Sequence, residues 1–235
     1  MQSGPTKLVL FDIDGTLLFT NGAGRRAIRR AVLPTLGGDG FVDGIRFDGK
    51  TDPQIVRELL LAARHPHAED DRKIWALCEE YVALLEAELA TAERAVRLLA
   101  GVEPLLRVLG SRPDTVLGLL TGNMCEGAHL KLTYAGLDPS RFRIGAFGSD
   151  AMERRALPAI ASQRAAAVMG AAPRGDAMVI VGDTPNDMRC GADLCARAIG
   201  VATGSYSVPE LRSAGAYAAF DDLSEIDAIV AAVYA

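Results

Sequence analysis

The chain has 235 residues, of which 49% are hydrophobic and 23% charged, and its 25 basic and 30 acidic residues give a formal net charge of -5. This average composition excludes a disordered, collagen-like or coiled-coil chain, and the length fits one large domain or a core with a smaller appendage. The basic residues are scattered, so we expect no nucleic-acid partner. No apolar run approaches the ~20 residues that span a bilayer, so we expect no membrane partner and a cytoplasmic location.

Short apolar runs that end in polar or glycine residues recur along the chain and predict buried strands. These predicted strands are residues 7–11, 115–120, 142–147, 177–181 and 196–201. Segments with helical spacing lie between and after them, at residues 126–134, 157–169, 185–194 and 223–234. Strands that alternate with helices predict an α/β fold, with a parallel sheet covered by helices on both faces.

Residues 18–92 interrupt this alternation. They contain no convincing buried strand, and helical spacing occurs at residues 24–36, 53–63 and 69–89. Residues 37–50, rich in Gly and Asp, predict an ordered loop. We therefore expect a helical domain over residues 18–92, inserted into a core made of residues 1–17 and 93–235.

Two carboxylates follow the first predicted strand directly. Asp12 and Asp14 can converge on one site as the chain turns, and Gly15 permits that turn. Ligands bind at this edge of an open parallel sheet. The alternative is an ordinary Asp-Gly turn without a functional role.

The strand at residues 115–120 is followed by Thr121, Gly122 and Asn123. A hydroxyl followed by free backbone amides at the start of a helix can cradle a phosphate. Asn123 could instead cap the helix, with Glu126 completing a capping box. Both interpretations can hold together.

The third group of polar residues follows the strand at residues 177–181. Asp183 ends this strand, and Pro185 occupies the position expected of a first helical residue. Asp187 has two interpretations. It is a candidate functional carboxylate, but with Thr184 it also has the spacing of a capping box.

Asp-x-Asp, Thr-Gly-Asn and Gly-Asp at three strand ends, in this order, resemble the haloacid dehalogenase-like hydrolase superfamily of aspartate-nucleophile phosphotransferases. The resemblance covers essentially the whole chain and implies a Rossmann-like sheet. The helical insertion resembles the mobile cap domain of the phosphoglycolate phosphatase-like branch. Residues 49–55 resemble the specificity loop of that cap, so Lys50 and Thr51 are candidate substrate contacts. Thr51 could instead cap a helix, with Gln54 at the box position.

One feature departs from the family pattern. The family usually places a lysine before the Gly-Asp strand, but no lysine follows Lys131 in this chain. Arg155 occupies the corresponding position and retains the positive charge, with a different reach and a planar geometry. Arg154 is an alternative, and either arginine could simply be a solvated charge at the start of a helix.

The resemblance implies a mechanism in which Asp12 attacks phosphorus and Asp14 serves as general acid and then base. Thr121, amides near Gly122 and Asn123, and Arg155 would hold the phosphoryl oxygens. It also implies a Mg²⁺ cofactor, because a hard cation suits clustered carboxylates. The expected metal ligands are Asp12, Asp183, the backbone carbonyl of Asp14, and Asp187 directly or through water.

The expected function is therefore phosphatase action on a small phosphorylated metabolite. Phosphoglycolate is the default substrate, and sugar phosphates and pyrophosphate stay open. The second aspartate argues against a dehalogenase and against a phosphonate-cleaving enzyme. Two alternatives remain open: a beta-phosphoglucomutase-like phosphotransferase, which would share the core residues, and a phosphate-binding protein with little turnover. The sequence also leaves open whether the protein is a monomer or a homodimer.

Overall fold

The structure is a computed structural model that describes residues 6–37, 44–91 and 96–235. Residues 38–43 of the predicted loop and the predicted domain boundary at residue 92 lie outside the described residues. The strands of the described part are β1 (Lys7–Phe11), β2 (Leu18–Phe19), β3 (Arg97–Leu98), β4 (Thr115–Leu120), β5 (Ile144–Ala146), β6 (Met178–Gly182), β7 (Arg197–Val201) and β8 (Ala218–Phe220).

The α-helices of the described residues lie in the sheet part and in the helical insertion. They are α1 (Ala23–Leu36), α2 (Asp52–Ala62), α3 (Asp71–Leu89), α4 (Val102–Gly110), α5 (Cys125–Tyr134), α6 (Leu157–Met169), α7 (Pro185–Cys190), α8 (Val208–Ser213) and α9 (Ile226–Tyr234). None of these described helices is long and apolar enough to cross a lipid bilayer. Five of the described strands and α-helices have no counterpart among the predicted elements: β2, β3, α4, α8 and β8.

Among the described residues, six parallel strands form one sheet in the order β5-β4-β1-β6-β7-β8. The predicted α/β fold is therefore confirmed. From β1 the chain builds outward to β4 and β5, then returns to the other side of β1 to add β6, β7 and β8. The carboxyl ends of β1, β4 and β6 lie at this reversal, where open α/β sheets form a ligand crevice.

Both faces of the sheet are buried, which explains why β1 is apolar from Leu8 to Phe11. Val9 and Phe11 belong to the core on one face, beneath α4, α5 and α9. Leu8 and Leu10 belong to the core on the other face, against α6. Side chains alternate between the two faces of a strand, so every position of a doubly covered strand favours an apolar residue.

Helices α1, α2 and α3 form a separate apolar cluster. The buried positions of α3 recur every three or four residues, at Ile74, Leu77, Cys78, Tyr81 and Leu85. Strands β2 and β3 pair antiparallel, with Leu18 opposite Leu98. The chain thus enters and leaves this helical part through one two-stranded ribbon.

Candidate active site

A cavity of about 290 Å³ lies between the helical insertion and the carboxyl ends of β1, β4 and β6. This volume is at the small end of the range of ligand pockets, so the cavity suits a small metabolite. The sheet part lines it with Asp12, Asp14, Thr121, Gly122, Asn123, Lys131, Arg154 and Asp183. The insertion lines it with Arg25, Ile28, Phe47, Lys50, Asp52, Ile55 and Tyr81, among others.

Three buried carboxylates meet at the sheet end of the cavity. Asp12 follows β1 and donates its backbone N–H to the Val181 carbonyl at 2.9 Å, while Asp183 follows β6. Carboxylate oxygens of Asp12, Asp183 and Asp187 lie within 4.8 Å of one another. Burial raises the pKa of Asp12 to about 6 against the opposing effect of Arg154, and burial with the two neighbouring carboxylates raises the pKa of Asp183 well above its usual range.

The donor set fits Mg²⁺. Three carboxylates face one guanidinium, that of Arg154, so the ionised cluster has a surplus of negative charge. Oxygen donors with such a surplus suit a hard divalent cation. Glycines also keep side chains out of this space: a Cβ at Gly15 or Gly204 would lie 2.4 or 1.8 Å from Asp183 Oδ2.

Asp187 forms the capping box that its spacing predicts. Its Oδ2 accepts from the Thr184 N–H at 3.0 Å and from the Thr184 hydroxyl at 2.6 Å, and Thr184 Oγ1 accepts from the Asp187 N–H. Its Oδ1 accepts from Arg154 Nη2. Since both oxygens already have partners and the side chain is fully buried, Asp187 supports Arg154 and the start of α7. Its direct ligation of a metal stays a prediction.

Arg154, and not Arg155, reaches the carboxylates. Arg154 is buried, with Nη2 3.1 Å from Asp12 Oδ1 and 3.3 Å from the Leu120 carbonyl. Arg155 is exposed. The two residues begin a 3₁₀ turn, Arg154–Ala156, in which successive side chains point about 120° apart, so only one of them can face the sheet. The prediction of Arg155 as the cationic site residue is wrong, and the alternative, Arg154, takes that position.

Asn123 joins Thr121 to Asp14. Its Nδ2 donates to Thr121 Oγ1 at 2.7 Å and to Asp14 Oδ2 at 2.9 Å. Because the Thr121 oxygen accepts from Asn123, the hydroxyl proton can be donated to a ligand in the cavity. Asn123 does not cap α5, so the predicted capping box with Glu126 is wrong: the helix begins at Cys125, after the Asn123 side chain has turned to Asp14.

Asp52 caps α5 instead. It belongs to the insertion, and the sequence analysis did not single it out. Its Oδ2 accepts from the Met124 N–H at 2.8 Å, and its own N–H donates to the Gly122 carbonyl at 2.7 Å. The backbone of Lys50 lies so close that a Cβ on Gly122 would be 2.0 Å from its carbonyl oxygen. The insertion therefore docks directly on the Thr-Gly-Asn segment, and a phosphate contact by the Gly122 amide stays a prediction.

The two predicted contacts of the specificity loop differ. Lys50 lines the cavity, and its Nζ pairs with Glu58. Thr51 is fully buried outside the cavity lining, where its hydroxyl accepts from the Gln54 N–H at 3.2 Å and donates to the Met152 carbonyl. The prediction that Thr51 contacts substrate is therefore wrong, because its hydroxyl is the cap of α2. Substrate contact by Lys50 stays a prediction.

Lys131 is the functional candidate that the sequence analysis missed. It is 3% exposed, and its Nζ lies 2.5 Å from Asp14 Oδ2 and donates to Asn123 Oδ1. It lies on α5, six residues after the first residue, Cys125. Asn123 precedes the helix, so helical spacing offered no signal for this contact.

Comparison with protein families matches residues 9–192 to the model of the haloacid dehalogenase-like hydrolases. Similar solved structures include a predicted phosphoglycolate phosphatase from Haemophilus somnus, with 20% identity, a TM-score of 0.72, and coverage of 98% of this chain and 100% of that one. CbbY from Rhodobacter sphaeroides, in complex with phosphate, is 22% identical with a TM-score of 0.67, covering 94% and 96%. A beta-phosphoglucomutase from Clostridium difficile is 18% identical with a TM-score of 0.69, covering 97% of each chain. No protein of curated function matches significantly.

Proposed function

The chain belongs to the haloacid dehalogenase-like hydrolases, and on this premise we propose that it is a magnesium-dependent phosphatase of small phosphomonoesters. One observation carries the proposal. Asp12 and Asp14 share a cavity of about 290 Å³ with the Thr121 hydroxyl and the Arg154 guanidinium. This combination supplies a nucleophile, an acid and donors for the phosphoryl oxygens.

Asp12 is the proposed nucleophile. A carboxylate oxygen of Asp12 attacks phosphorus in line, the bond from phosphorus to the ester oxygen breaks, and an aspartyl-phosphate forms. Water then attacks the same phosphorus and releases inorganic phosphate with the Asp12 carboxylate restored. The contact with Arg154 Nη2 at 3.1 Å stabilises the ionised form that attack requires.

Asp14 is the proposed proton carrier. It donates a proton to the departing alkoxide in the first step and takes one from the attacking water in the second. Its side chain is 41% exposed, in the cavity wall beside Asp12. The acid therefore lies where it can reach the leaving group.

Thr121 and Arg154 are the proposed donors to the remaining phosphoryl oxygens, with backbone amides near Gly122. Mg²⁺ would be held by Asp12, Asp183 and the Asp14 carbonyl. Asp187 would support this site through its contact with Arg154. When bound, the ion supplies the positive charge that lets anionic oxygens of phosphate approach the carboxylates. The insertion lines the cavity opposite these groups, and its closure over a bound substrate would exclude bulk water.

The proposed substrate is a short phosphomonoester of the phosphoglycolate type. The small cavity volume favours a leaving group of a few heavy atoms. Ile28, Phe47 and Ile55 form apolar parts of its wall, beside the polar Lys50. A short carbon chain that ends in a polar or anionic group matches that lining.

Phosphate release from p-nitrophenyl phosphate and a panel of small alkyl phosphates tests the proposal, with Mg²⁺ and with EDTA. We expect magnesium-dependent turnover that Asp12→Asn lowers by at least about 10³-fold, as for loss of a nucleophile. Asp193→Asn removes an exposed carboxylate and serves as the matched control with unchanged turnover. Absence of magnesium-dependent release from every compound would refute the phosphatase.

Product analysis with a hexose 1-phosphate separates the phosphatase from the mutase, since only the fate of the aspartyl-phosphate differs. The phosphatase releases inorganic phosphate. Formation of the 6-phosphate without phosphate release would instead assign a phosphomutase. Binding of inorganic phosphate without turnover of any ester would assign a phosphate-binding protein.

A further inference from the structure

The ammonium of Lys131 is a buried cation beside the proposed acid. Lys131 projects from α5, a helix of the sheet part, and its side chain is only 4% exposed. Its described hydrogen-bond partners are Asp14 Oδ2, at 2.5 Å, and Asn123 Oδ1, and its charge also acts on the carboxyl group of Asp52. It thus contacts the Asp-x-Asp and Thr-Gly-Asn segments simultaneously, while Arg154 is the cation that contacts Asp12.

Burial of an ammonium group is costly unless oxygens replace its hydration shell. An apolar residue would satisfy the packing of α5 at this position without that cost. The charge is therefore better explained by what it does to Asp14 than by the stability of the helix.

Two donors hold one oxygen of the Asp14 carboxyl group. Asn123 Nδ2 at 2.9 Å and Lys131 Nζ both bind Oδ2, from the side of α5. Two contacts on one oxygen fix the rotation of the carboxyl group and leave Oδ1 for a ligand in the cavity. Asp14 needs such support because it precedes Gly15, which turns the chain with φ of 80°, and because its side chain is 41% exposed.

We propose that Lys131 is a positioning residue for Asp14: with Asn123 it holds Oδ2 so that Oδ1 faces the oxygen of the leaving group. This inference rests on the proposed phosphatase function. A proton carrier works only when it is within hydrogen-bond reach of the atom it serves, and small displacements of a reacting group cost large factors in rate. Lys131 therefore contributes to the rate through Asp14 and does not itself touch the substrate.

The leaving group distinguishes this role from a merely structural one. An alkyl phosphate releases a strongly basic alkoxide that needs a proton from Asp14, whereas p-nitrophenyl phosphate releases a stable phenolate that does not. Misplacement of Asp14 must therefore slow formation of the aspartyl-phosphate selectively for alkyl phosphates, and kcat/KM reports this first step. Hydrolysis of the aspartyl-phosphate, in which Asp14 takes a proton from water, is common to both substrates and affects kcat alone. A general loss of structure would slow both substrates by the same factor.

The test compares kcat/KM of wild type and Lys131→Met on p-nitrophenyl phosphate and on the best alkyl phosphate of the panel. We expect kcat/KM on the alkyl phosphate to fall about 10²-fold, the lower end of the contribution of general acid catalysis. On the aryl phosphate kcat/KM should stay within about threefold. Lys73→Met, outside the cavity lining, is the control. Equal losses of kcat/KM on both substrates would overturn the proposal.

A double-mutant cycle with Asp14→Asn separates action through Asp14 from contact with substrate. If Lys131 acts through Asp14, Lys131→Met has little further effect on the alkyl phosphate once Asp14 is Asn. A loss as large as in the wild-type background would show that Lys131 binds the substrate itself, and would overturn the positioning role.

Lys131→Gln keeps the test decisive if the Met variant does not fold, because the amide is polar and retains a donor. The ratio of its kcat/KM on the alkyl phosphate to that on the aryl phosphate should fall, less than for Met, and a ratio equal to that of wild type would overturn the proposal. Thermal melting identifies the folded variants. If wild type hydrolyses neither ester, the proposed phosphatase function is refuted. If wild type hydrolyses both esters and the variants keep its ratio of alkyl to aryl kcat/KM, only the positioning role of Lys131 is refuted.

Discussion

Asp52→Asn tests whether the carboxyl group that joins the insertion to the sheet part is as strongly desolvated as its surroundings indicate. Asp52 is 6% exposed, and burial raises its pKa from 3.8 to about 6, although Lys131 and the N–H of Met124 oppose the shift. Asparagine has nearly the same shape and retains an oxygen that accepts from the Met124 N–H. The substitution therefore removes the titration and keeps the helix cap.

The raised pKa of Asp52 determines the direction in which the stability of the protein changes with pH. A carboxyl group that holds its proton more tightly when folded contributes stability that is full below pH 3.8 and is lost as the pH rises through about 6. This rise of the pKa by about 2 corresponds to a contribution of about 3 kcal/mol to the free energy of unfolding. About 2 kcal/mol of that contribution is lost between pH 4.5 and 7.5. Over that range, the free energy of unfolding of wild type should fall by about 2 kcal/mol relative to that of Asp52→Asn.

Urea unfolding at several pH values in EDTA measures this difference, since groups that do not interact with Asp52 titrate equally in both proteins and cancel. Glu80→Gln, which changes an exposed carboxylate of α3, is the matched control, with an expected effect within about 0.5 kcal/mol. Parallel curves for wild type and Asp52→Asn, with a constant difference from pH 4.5 to 7.5, would refute the strong desolvation of Asp52.

Three further predictions concern the carboxylate cluster. Arg154→Ala should lower kcat by about 10²- to 10³-fold, while Arg155→Ala should stay within about twofold; equal effects in steady-state kinetics would contradict the placement of Arg154. Gly204→Ala places a Cβ where Asp183 Oδ2 lies, so a magnesium titration of activity should show about 10- to 100-fold weaker metal affinity. Gly110→Ala, whose Cβ meets only Leu117 at 3.4 Å, is its control. Mg²⁺ at about 100 times its Kd should stabilise wild type by about 2.7 kcal/mol in thermal melts, and a similar gain in Asp183→Asn would argue against this metal site.

Much of the site could be predicted because parallel topology places the carboxyl ends of neighbouring strands at one edge. Asp12, Thr121 and Asp183 each follow an apolar run, and β1, β4 and β6 are neighbours in the sheet. The positions of these three residues followed from hydrophobic patterning alone. The helices of the insertion could also be predicted, because α1 and α3 carry their buried residues at helical spacing.

Local alternatives could not be settled from the sequence, because each depends on the direction in which one side chain points. Arg154 and Arg155 are adjacent and chemically identical, and the start of a 3₁₀ turn decided between them. Thr51 and Asp187 had the spacing of helix-cap residues as well as of site residues. In the fold Thr51 caps α2, and Asp187 completes the capping box in which Thr184 caps α7.

The order of the main elements and the residue types at the end of each strand of the site could be inferred from the chain's residues alone. Only the tertiary structure assigned Lys131 to Asp14, 117 residues away, and Asp52 to Met124, 72 residues away. These contacts join α5 and the insertion to the end of β1, and no local periodicity encodes them. Their physical cause is the burial of charged groups that must find oppositely charged or hydrogen-bonding partners wherever the packing of distant elements brings them.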